Sequence, residues 1–126
     1  MTELPETLLQ FIQRCIPTYQ AAELLLFLAA HPDRNFLPEE IVVAMRPVVI
    51  TLPAVVEYAT LFKARSLIVE KDGRFSYGPG SPSLEQDIGH LAHAYNERPV
   101  SLIRAIYQIS DRKIQSFADS FKLRED

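Results

Sequence analysis

TLPAVVEYATLFKARSLIVEKDGRFSY, residues 51–77, is the stretch that decides the fold. Thr51 is a good N-cap residue, and Pro53 suits a first helical turn. Leu52, Val55, Ala59 and Phe62 then recur at spacings of 3, 4 and 3, which predicts a helix with these four on its core face. The pattern changes at Leu67. Residues 67–70 and 74–77 read as two short strands, and Asp72-Gly73 between them is a strong hairpin signal. A helix therefore runs straight into a tight hairpin. If the stripe faces inward, the helix shows Ala54, Tyr58, Leu61 and Arg65 outward, with Glu57 beside them.

Working upstream, "NFLPEEIVVAMRP" reads as a short extended piece at Asn35-Phe36, then a helix opened by Pro38 and closed by Pro47. Glu39 and Glu40 complement the positive end of its dipole. Ile41, Val42 and Met45 face inward. "TYQAAELLLFLAAHPDR" is a helix capped by Thr18 and apolar almost all round, so it is expected to be central and buried. His31 is placed to cap its end. "LPETLLQFIQRCIP" is a first helix, ended by Pro17. Cys15 lies among Phe11, Ile12 and Ile16 and is read as buried apolar filler.

Downstream, Gly78-Pro79-Gly80-Ser81-Pro82 is the clearest linker. Beyond it Leu84, Ile88, Leu91, Tyr95, Leu102, Ile106 and Ile109 follow spacings of 4, 3, 4, 7, 4 and 3. A stripe of this kind suits a helix that pairs with a second copy of itself, or one that packs on the chain's own first helix. Pro99 interrupts it, so a kink or break is expected near residues 96–98. Ile114, Phe117, Ala118 and Phe121 predict a short amphipathic helix at the end. The organisation is then a first helix (1–17), a central unit (18–79) and a helical arm (80–126), mainly α with one small β-hairpin.

The segments "FLPEEIVVAMR", "LPAVVEYATLFKARSLI" and "EKDGRFSY" together resemble a winged helix-turn-helix domain. The pattern is similar to that of small bacterial regulators of the MarR and PadR kind. The tail, "AYNERPVSLIRAIY" to "SFADSFKLRED", resembles the ends of bacterial winged-helix proteins that have no assigned activity. The first resemblance implies a transcription regulator that binds duplex DNA, and a homodimer built by helices outside the winged unit. It leaves room for a small effector between the long helix and that unit. The helix would enter the major groove, with Arg46, Thr51, Lys63, Arg65, Lys71 and Arg74 as the DNA-contacting set and the last two on the wing. Arg, Asn and Gln usually read bases, and the outward face of 51–65 lacks them in its first turns. The basic residues lie on the rim and suit phosphates. The alternative is a protein-interaction or dimerising module. Its interface would comprise Tyr58, Leu61, Leu84, Ile88, Leu91, Tyr95, Leu102 and Ile106.

Charge separates these readings only partly. The net charge is −3, and residues 31–79 carry six basic against six acidic side chains. DNA-binding domains usually show a basic face. The apolar run "AAELLLFLAA" is too short for a membrane span and contains Glu23. An acidic N-terminus does not read as a signal peptide, and one cysteine allows no internal disulfide, so a cytoplasmic setting is expected. Nothing in the sequence reads as an enzyme. It has no GxSxG, GxGxxG, Walker or CxxC motif. Asp87, His90, His93 and Glu97 share one helical face, which reads as solvated rather than metal-binding. No cofactor is expected.

Overall fold

The computed structural model describes residues 4–124, with side chains described through Ile114. Six helices and one hairpin follow in the order α1 (Glu6–Cys15), α2 (Tyr19–Ala29), α3 (Pro38–Ala44), α4 (Leu52–Ala64), β1 (Ile68–Lys71), β2 (Arg74–Tyr77), α5 (Pro82–Glu97) and α6 (Pro99–Arg124). The mainly helical class with a small antiparallel hairpin is as expected.

Local chemistry explains most boundaries. The Thr18, Thr51 and Ser81 hydroxyls each accept from the backbone N–H three residues on, capping α2, α4 and α5. At α3 the Glu40 carboxylate accepts from the Leu37 N–H at 2.9 Å, closing one of the donors a helix start leaves open. Asp72 and Gly73 both adopt positive φ, 55° and 79°, the geometry of a two-residue hairpin turn that matches strand twist. Residues Ile68–Lys71 pair with Tyr77–Arg74 in register, so the first strand starts one residue later than expected. Phe36 joins as a third strand position. Its N–H and C=O bond Phe75 at 2.9 and 2.8 Å.

Helix α2 is the centre. Ala21, Ala22, Leu24, Leu25 and Leu28 are buried on it, and it packs against α4, β2 and α5. Helix α1 packs on α5 and α6, which pack on each other. One cluster of buried side chains runs from Leu8 and Phe11 through Leu25 and Phe62 to Leu91 and Leu102, so first helix, central unit and arm share a core.

The arm breaks where Pro99 leads one to expect. Arg98 leaves the helical region, with φ −139° and ψ 56°, and Pro99 opens a new helix. Pro fits there because a helix's first residue needs no intrahelical N–H. No single long helix therefore presents the Leu84–Ile109 stripe to a second copy. Ile88, Leu91, Leu102, Ile106 and Ile109 are buried within the chain, while Leu84 and Tyr95 are half-buried against the same core. Packing on the chain's own helices is the arrangement found. The expected separate final helix is the continuation of α6; among its stripe residues, the side chains of Phe117, Ala118 and Phe121 lie outside the described residues.

Candidate functional site: the outer face of α4

Helix α4 is covered along a broader arc than four stripe residues define. It packs against α2 and α3. Val55, Ala59 and Phe62 are fully buried, and Ala54, Tyr58 and Leu61 are half-buried against the core. Tyr58 is thus no exposed interface residue. Its hydroxyl accepts from the Thr18 hydroxyl at 3.0 Å, which holds the ring toward the start of α2. Leu61 is tucked in beside it in sequence and burial. Leu52, assigned inward by spacing, is 42% exposed. It is the first residue of the helix, where the side chain has run past the edge of the core.

The surface that remains is Leu52, Val56, Thr60 and Lys63, with Glu57 alongside; all are exposed. Just before the helix, Val49 is 83% exposed, and on α3 Val43 is 56% exposed. The connecting turn contains a cis Arg46–Pro47 peptide. The Gln20 side-chain amide donates to the Val49 carbonyl at 2.8 Å, tying that turn to α2. Polar groups on α4 are largely committed locally. The Thr51 hydroxyl caps the helix, and the Thr60 hydroxyl donates to the Val56 carbonyl at 2.7 Å.

The six basic and capping residues proposed for DNA are exposed, except Arg74, which is half-exposed. They are not a uniform basic surface. Lys63 pairs with Glu70 at 2.6 Å, and Arg74 pairs with Glu40 at 3.0 Å. The backbone N–H of Leu37, with Arg74 beside it, holds the Glu40 carboxyl below its ordinary value. Arg46, Arg65 and Lys71 form no ion pair among the described residues, and neither does Arg34, which lies over the Phe36 ring at 4.8 Å from its centre.

A groove of about 260 Å³ opens between the central unit and α5, walled by Leu26, Phe27, Met45 and Val48 with Glu23 and Tyr95 at its polar side. The Tyr95 hydroxyl donates to Glu23 at 3.2 Å, and its ring stacks on Tyr19. Sequence periodicity had no means of finding this pair, 72 residues apart. His31 does cap α2, with Nδ1 2.9 Å from the Phe27 carbonyl oxygen. His90, His93 and Glu97 are exposed, and no group of His, Cys, Asp and Glu able to hold a metal occurs among the described residues. Cys15 is buried, and burial pushes its thiol above the ordinary value. No described helix is long and apolar enough to cross a membrane.

The chain matches no family model, and no curated protein or solved structure shows significant similarity to it.

Proposed function

We propose that this chain is a winged-helix interaction module, non-catalytic, whose α4 face docks an apolar segment of a partner protein. The observation that carries this reading is the exposed side of α4 itself. Leu52 and Val56 stand there with Glu57, and the cation within the helix, Lys63, is paired with a carboxylate, while Arg65 at its C-cap is exposed. An exposed ion pair contributes about 0–1 kcal/mol, so it does not lock Lys63 away. What matters is the local sum of charge, which Glu70 and Glu40 cancel at two of the five basic positions. Apolar and aromatic residues set among polar ones favour protein partners, whereas groove reading needs hydrogen-bonding side chains. A cytoplasmic setting suits a chain whose single cysteine is buried and has no second cysteine to pair with.

A second reading, a regulator that binds duplex DNA, draws on the exposed Arg34, Arg46, Arg65 and Lys71, which stand outside any ion pair among the described residues. Titration of a random-sequence duplex across salt concentrations separates the two. Phosphate contacts produce affinity that climbs steeply as salt falls. The interaction reading expects no such binding at low salt; a steep salt-dependent affinity overturns it. A photocrosslinker at Val56 in the native cell is expected to capture a protein, with capture lost in Leu52→Glu. Capture of nucleic acid instead overturns the reading.

A further inference from the structure

Helix α6 has two apolar faces, and only one is spent. Leu102, Ala105, Ile106 and Ile109 face the core. About 150° round the helix, at 100° per residue, lie Val100, Tyr107 and Ile114, which are 61, 63 and 64% exposed. They are spaced seven apart, with half-buried Ile103 and Ser110 at the intermediate positions. Spacings of 3, 4, 3 and 4 make this a heptad seam of the kind that pairs helices. In the sequence the same spacing continues at Phe117 and Phe121. This seam is distinct from the buried Leu84–Ile109 stripe.

We infer that the occupant of this seam is a second copy of α6, running antiparallel. Two observations argue for it, one of shape and one of charge. A two-fold axis between residues 108 and 109 reverses the second helix. Tyr107, the largest side chain of the seam, then meets Ser110 of the second copy, its smallest. Ile103 meets Ile114 of the second copy. The same axis brings Arg104 beside Asp111 of the second copy, twice by symmetry. Arg104 and Asp111 lie seven apart on one flank of the seam, both exposed, and neither has an ion-pair partner among the described residues. Flanking charges of this kind set the direction in which paired helices run. A parallel pair brings like positions together and leaves Arg104 far from Asp111. The interface is isologous, with the same patch used by both copies. It does not depend on what the α4 face binds.

Sedimentation equilibrium of the full chain tests it. The wild type is expected to show a concentration-dependent dimer. Tyr107→Glu places two carboxylates near the axis and is expected to raise the dissociation constant at least about tenfold. Arg104→Asp and Asp111→Arg each set like charges against each other and should weaken the dimer, whereas the double swap restores it. All three positions are exposed, so circular dichroism should show unchanged helicity. A wild-type monomer at the highest soluble concentration overturns the proposal, as does a dimer indifferent to Tyr107→Glu. Singles that weaken the dimer without rescue by the double swap overturn the antiparallel arrangement.

Discussion

Tyr95 shows how far one side chain's behaviour depends on its neighbours. Burial, and then the Glu23 carboxylate, push its phenol up from 10.0 to about 12. A pKa raised by folding means that the folded chain holds the proton more tightly. That contribution to stability is whole below pH 10 and drains away as pH rises from 10 toward about 12. Tyr19 and Tyr77 are raised as well, both chiefly by burial. Thermal melts across that range should therefore fall steeply for the wild type and less steeply for Tyr95→Phe. An equal fall in both would show that Tyr95 contributes nothing to the slope. At this scale the legible residues were those with local duties. Thr18, Thr51 and His31 act within three or four residues of themselves, so sequence places them. Tyr58 answers to Thr18, 40 residues away, and helical spacing carries no such knowledge.

Each element was legible where its ends carry their own signal. Prolines, caps and Asp72-Gly73 set most of the boundaries. The end of α4 lacks one. Its closing residue in left-handed conformation is Ser66, with φ 63°, where glycine is the usual choice. The Leu67 N–H reaches the Phe62 carbonyl at 2.9 Å and the Ser66 N–H reaches Lys63 at 3.1 Å. This doubly bonded cap aims β1 out of the helix. A left-handed side chain costs about 1–2 kcal/mol, part of which glycine gives back through its freer unfolded state. Ser66→Gly is therefore expected to stabilise by about 0.5–1 kcal/mol, read as a shifted denaturant midpoint with unchanged slope. A loss of stability would point to a further role for the serine side chain. The stripe on α5 and α6 illustrates a different limit. Its spacing marked the right residues as buried, but periodicity alone does not distinguish a helix of the same chain from one of another.

The whole molecule follows from α2, whose apolar surface has to be covered on several sides at once. Helices α4 and α5 and the hairpin do this, and the overall class was legible because no other segment is so uniformly apolar. The candidate site was less so. Its outer residues are defined by what the core leaves uncovered, and the ion pairs that neutralise its rim join segments 7 and 34 residues apart. Because one buried cluster runs through α1, the central unit and the arm, loss of an anchor in α1 should be felt everywhere. Phe11→Ala is expected to cost about 3–5 kcal/mol. Far-ultraviolet dichroism and tyrosine fluorescence should still report a single coincident transition. Separate transitions would mean that the arm melts as its own unit. The bond from the Lys113 ammonium to the Gln13 carbonyl, 2.6 Å long and spanning 100 residues, has a bearing on biosynthesis. A ribosome adds about 5–20 residues per second, so α1 is complete several seconds before its lid, α6, is made. During that interval Phe11 and Ile12 have no finished core to enter, and α1 is a segment a chaperone would meet.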